Sequence, residues 1–150
     1  MNAVSQKALV PLSYWVIAVI SLIWNAFGAY DYVMSRLRKA AYLDAATGGK
    51  SEAMLQWMDS LPWYVQIAWP LGVWGSVAGS LLLLARSRHA VTAFVVSLVA
   101  ACFSFVAERI AGIPADLDSG GAKAVQAVIV VVIALLWFHS RRAAFLGLLR

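Results

Sequence analysis

Ser60-Leu-Pro-Trp-Tyr-Val-Gln-Ile-Ala-Trp-Pro-Leu-Gly-Val-Trp-Gly-Ser-Val-Ala-Gly-Ser-Leu-Leu-Leu-Leu-Ala85 runs 26 residues without an Asp, Glu, Lys or Arg. The hydrocarbon core of a bilayer is ~30 Å thick, and a helix rising ~1.5 Å per residue crosses it with about 20 apolar residues. Three more stretches share this character: Ala8–Tyr30 with 23 residues, Ala90–Ala107 with 18 and Ala124–Ser140 with 17. The two shorter ones reach the required length when Arg109, Lys123 and Arg141 extend their stems toward the interface. The expected fold is therefore all-α, an integral membrane bundle of four transmembrane helices running up and down. Its spans fall at about 11–33, 62–85, 89–109 and 123–141, in a single membrane domain covering 1–150.

Composition agrees with that reading. The chain of 150 residues is 63% hydrophobic and only 13% charged, with a mean hydropathy of +0.79, which leaves no room for a sizeable water-soluble core. Its single cysteine, Cys102, falls inside the third span, so no disulfide framework or cysteine metal site can form within one chain. Ala26-Phe27-Gly28 imitates a signal-peptide cleavage site. The apolar run there is longer than an ordinary signal-peptide core, and only Lys7 precedes it, so a retained span is expected.

The net charge of +5 would suit nucleic acid if it were gathered on one soluble surface, but it is divided by the membrane. Four alternating helices put Lys7, Arg86, Arg88, Arg141, Arg142 and Arg150 on one side with no acid. Arg36, Arg38, Lys39, Lys50, Arg109 and Lys123 share the other side with all seven acids. Lys and Arg counts tie, so orientation rests on placement. The acid-free Arg86-Ser87-Arg88-His89 turn and the Arg141-Arg142 pair argue for both termini in the cytoplasm, against the Arg36-Leu37-Arg38-Lys39 cluster. The partner is the lipid bilayer, not nucleic acid.

Along the chain, Pro11 suits a helix start, and Pro70 in span two removes a backbone donor and predicts a bend. The outer loop at 34–61 is the longest, with a short interfacial helix expected at about 51–59. Gly49-Lys50-Ser51 looks like the tail of a phosphate-binding loop, but Asp44 stands where that pattern needs glycine, and no strand precedes it. Span two carries Gly72, Gly75, Ser76, Gly79 and Ser80 at small-xxx-small spacing, which lets helix backbones approach closely. The short connection to span three makes these two spans a tight hairpin, and Ser97, Ala100, Ala101 and Ser104 offer a matching small stripe. Span four is β-branched (Val125, Val128, Ile129, Val130, Val131, Val132, Ile133), which suits lipid contact better than close packing.

Polar groups within a bilayer are costly and turn toward each other or toward water. Asn25, Gln66, Ser104 and Gln126, with Asp31, Glu108 and Arg109 at a rim, all fall in the outer half, where they could line an outward-facing vestibule for a ligand. The plainer reading makes them interhelical hydrogen bonds and anchors, with Asp31 stapled to Arg109. His89 and His139 stand at matched depth and could hold a haem between helices, but each lies in a basic cluster where interfacial anchoring is the simpler role. No cofactor, metal or catalytic residue is expected. Trp24, Trp69 and Trp74 could stack a sugar ring, though packing is the commoner use of aromatic side chains.

Leu22-Ile23-Trp24-Asn25-Ala26-Phe27-Gly28-Ala29-Tyr30-Asp31-Tyr32 and Ala68-Trp69-Pro70-Leu71-Gly72-Val73-Trp74-Gly75-Ser76, continuing to the Arg-Ser-Arg-His turn, resemble a family of small uncharacterised four-span alphaproteobacterial inner-membrane proteins. Some members carry the loose label "sugar transporter". The resemblance implies a bacterial inner-membrane location and supplies no catalytic residues. The expected function is non-enzymatic and acts through helix packing, as a homo-oligomer or as an accessory subunit of a membrane complex. The alternative is a small-solute transporter using the outer vestibule.

Overall fold

The computed structural model describes residues 10–150; Lys7 and the first two residues of the first apolar run lie outside the described residues. Six helices follow in order: α1 (Leu12–Arg36), α2 (Ala40–Thr47), α3 (Ser51–Ser60), α4 (Trp63–Leu84), α5 (His89–Ala111) and α6 (Gly120–Phe145). Of these, α1, α4, α5 and α6 are long and apolar enough to cross a membrane. They form an all-α four-helix membrane bundle with neighbours in the order α1, α4, α5, α6.

Small residues set the closest approach. A side chain built on Gly72 would meet the Ala101 backbone at 3.3 Å, and one on Gly75 would meet Ser97 Cβ at 3.1 Å and Cα at 3.3 Å. At Gly79 it would run into the Phe94 ring at 2.8 Å. Each step down α4 is thus matched by a reverse step on α5, the pattern of an antiparallel hairpin closed by small residues. Ser97 seals it by donating its hydroxyl to the Gly72 carbonyl at 2.6 Å.

On its other side α4 receives α1. Tyr14, Ala18, Ser21, Asn25 and Ala29 recur at helical spacing as the buried stripe of α1. The Tyr14 hydroxyl donates to the Leu83 carbonyl at one end of the pair. Further along, Asn25 Nδ2 donates to the Ser76 carbonyl at 3.2 Å and to Ser80 Oγ at 2.8 Å. The small residues of α4 are therefore packed within one chain, its glycines against α5 and its serines against α1.

The connection between α1 and α4 holds one helix more than the sequence reading placed there. Gly48 at φ +67 ends α2 in the left-handed conformation and Gly49 follows at φ +87, so the chain reverses into α3. Across this turn the Asp44 carboxylate accepts the Ser51 N–H at 3.1 Å. The Ser51 hydroxyl, and then this backbone contact, hold the Asp44 carboxyl below its usual range. The phosphate-loop look-alike is thus an ordinary interhelical turn. The α2–α3 pair is tied to the α5–α6 connection by Trp57 Nε1 donating to the Gly112 carbonyl (3.0 Å) and by Lys50 Nζ donating to the Asp116 carbonyl (2.8 Å).

Candidate functional site

Ser104 and Glu108 stand four residues apart on α5, so they share the face turned toward α6. Both are buried. Ser104 donates its hydroxyl to one Glu108 oxygen at 2.9 Å, and Gln126 Nε2 of α6 donates to the other at 3.1 Å. The carbonyl of Gln126 is taken by Arg109 Nη2 at 3.2 Å, while Arg109 Nη1 reaches Asp118 at 2.5 Å. Lys123 closes the chain on the second Asp118 oxygen at 2.8 Å. Hydrogen bonds from Lys123 and then Arg109 hold the Asp118 carboxyl below its ordinary value.

The order of these contacts has a chemical consequence. Gln126 is held in one orientation, because its amide nitrogen faces a carboxylate and its oxygen faces a guanidinium. A carboxylate removed from water needs such donors, since an isolated charge in a low-dielectric site is costly. The network therefore fastens α6 to α5 at the end of the bundle opposite the α4–α5 turn.

Four of the seven vestibule residues, Ser104, Glu108, Arg109 and Gln126, thus meet in a single network. The other three bond elsewhere. Asn25 joins α1 to the serines of α4, as described. Asp31 accepts the Tyr42 hydroxyl of α2 at 2.6 Å, so it is not stapled to Arg109, whose partner is Asp118. The reason is local: α2 folds back over the end of α1 and brings Tyr42 within reach. Partial burial, then the bond to Asp31, pushes the Tyr42 hydroxyl up to about 12. Gln66 accepts from Arg36 Nη1 at 2.6 Å and donates to the Met58 carbonyl at 2.7 Å, joining the base of α3 to α1 and α4.

Sequence reasoning passed over Asp118, Lys123, Arg36 and Tyr42 as members of these networks. Asp118 lies in the α5–α6 connection and Tyr42 on an unforeseen helix, so no helical spacing tied either to its partner. Trp24 and Trp74 face outward from the bundle, and Tyr32 packs edge-on against Trp69 at 5.2 Å. His89 is exposed at the start of α5, whereas His139 is half-buried and stacks on Tyr14 at 5.9 Å. Among the described residues, no three His, Cys, Asp or Glu side chains gather as a metal site. No protein-family model matches the chain, and neither a curated protein nor a solved structure does.

Proposed function

We propose that this chain is a non-enzymatic, multi-pass subunit of a membrane assembly, acting through helix–helix contact as a homo-oligomer or as an accessory subunit beside other membrane proteins. One observation carries this reading: the spanning helices are unequally enclosed. In the most apolar window of α5 39% of the residues are buried, against 11% in α6. Helix α6 is held by the Glu108–Gln126 clasp at one end and by Ile133, Leu136, Ser140 and Ala143 toward the other. Between and beyond these points Val125, Val128 and Val131 stand exposed. Helix α6 packs chiefly on α5, so this ridge is open to lipid or to a helix of another chain.

The bacterial inner membrane, with both termini cytoplasmic, is the setting that the acid-free arginine end and the family resemblance support. The test is crosslinking in native membranes. In a Cys102→Ala background, single cysteines at Val128 or Val131 are expected to give a discrete crosslinked species, while cysteine at Ile110, exposed on α5, does not. No adduct from either α6 position, with the protein folded and inserted, would refute the assembly reading.

A second reading, transport of a small neutral solute such as a sugar, draws on the Ser104–Glu108–Gln126–Arg109 network, which sets polar groups side by side in a spanning seam. Proteoliposome uptake that disappears in Gln126→Leu, with folding intact, would favour it over assembly.

A further inference from the structure

The end of the bundle that holds the α4–α5 turn carries five arginines: Arg86, Arg88, Arg141, Arg142 and Arg150. The three ion pairs among the described residues all lie at the opposite end, as do all seven acids. Charge of one sign at the end of a membrane bundle is ordinary; here the structure also organises it.

After α6 the chain turns at Gly147, φ +71, and runs back toward the α4–α5 turn. Leu148 and Leu149 are buried in the same core cluster as Tyr14, Leu83 and Ala90, so this segment is packed as well as bonded. The Arg150 N–H donates to the Arg86 carbonyl at 2.6 Å, and the Arg88 N–H donates to the Arg150 carbonyl at 2.9 Å. Arg86 Nε donates to the Leu148 carbonyl at 2.8 Å. Arg86 itself sits at φ +57, a left-handed position where glycine would be less strained. Backbone pairing thus brings the distant Arg150 beside Arg86 and Arg88, with the side chains of Arg88 and Arg150 exposed. Arg141 and Arg142 are exposed on the last turns of α6, and Arg141 lies over the Trp137 ring at 5.1 Å.

We propose that this end is a binding site for the phosphate headgroup of anionic phospholipids, with Arg86, Arg88 and Arg150 as its pinned centre and Arg141 and Arg142 as its flank. Guanidinium groups match phosphate oxygens in paired hydrogen bonds, and holding their backbones in place lowers the ordering cost of binding. The site stands where helix ends meet the headgroup layer, and an aromatic ring beside an arginine is a feature of that layer. Basic residues next to spans are attracted to anionic lipid by about 1 kcal/mol each, roughly fivefold in affinity. The backbone-held pair Arg88 and Arg150 should therefore account for about a 25-fold preference.

The test uses the full chain in mild detergent, titrated with phosphatidylglycerol or phosphatidylcholine and followed by native mass spectrometry. Phosphatidylglycerol is expected to bind at least tenfold more tightly. Arg88→Gln with Arg150→Gln should lower that preference by about 25-fold, and the corresponding lysine pair should retain most of it. Both residues join the turn through backbone atoms, so the fold is expected to persist, as checked by an unchanged thermal midpoint. Arg38→Gln with Lys50→Gln at the opposite end is expected to leave the preference intact. Equal binding of the two lipids, an undiminished preference in the glutamine pair, or its loss in the opposite-end pair would each overturn the proposal. Complete displacement of phosphatidylglycerol by millimolar inorganic phosphate would also overturn it, in favour of a soluble anion.

Discussion

Adding one methyl group to each glycine of α4 in turn measures how closely that helix lies on α5. Gly75→Ala puts a carbon 3.1 Å from Ser97 Cβ and 3.3 Å from its Cα. Backbone cannot swing aside, so the two helices must separate by a few tenths of an ångström. Overpacking of this kind costs about 1–3 kcal/mol, against which the better helix propensity of alanine returns up to about 1 kcal/mol. The expected net loss is about 1 kcal/mol, with Gly79→Ala similar because the Phe94 ring is fully buried and has nowhere to move. Gly72→Ala, whose nearest neighbour is at 3.3 Å and the next at 3.5 Å, should cost less. Gly28→Ala on α1 meets nothing within 4 Å and should be neutral or slightly stabilising. Reversible unfolding in bicelles, by steric trapping or by graded SDS, reads the four differences. A Gly75→Ala variant as stable as Gly28→Ala would refute the claim that the α4–α5 contact is set by these glycines within the monomer.

Three other perturbations probe the remaining contacts. Asn25→Ala removes two donors to α4 and should cost about 1 kcal/mol at ~0.6 kcal/mol per interhelical bond; Ser80→Ala should cost about half of that, and Ser76→Ala, which keeps its carbonyl, nothing through this contact. Glu108→Gln should be nearly neutral in the same assay, since a glutamine can accept from Gln126 while the Ser104 hydroxyl turns to accept from it. Glu108→Leu, by contrast, strands both partners and should cost about 1–3 kcal/mol. The Asp118 carboxyl is held below its ordinary value of 3.8, so its contribution is complete above that pH and fades as pH falls through the lowered value. Acid titration of stability should therefore show a drop below about pH 4 that is reduced in Asp118→Asn.

How far the sequence carries this protein can be judged residue by residue. Four uncharged stretches of helical length dictate the spans, because in lipid every backbone donor and acceptor must be satisfied within the segment and a helix does that alone. The tight turn at Arg86–His89 likewise made α4 and α5 a hairpin, and the division of charge between the two ends followed from alternation. Which surfaces the small residues serve was not readable: Gly75 and Ser80 share a helix, yet one faces α5 and the other α1. Spacing gives a face, whereas the identity of the neighbour depends on how helices are arranged around it. For the same reason the outer polar residues separated into different networks. Asp31 was drawn to Tyr42 by a helix too short and too weakly patterned to be foreseen, and Arg109 to an aspartate in a connection. Local periodicity is encoded by consecutive side chains, but a partner brought from a distant segment is decided only when the whole chain has packed.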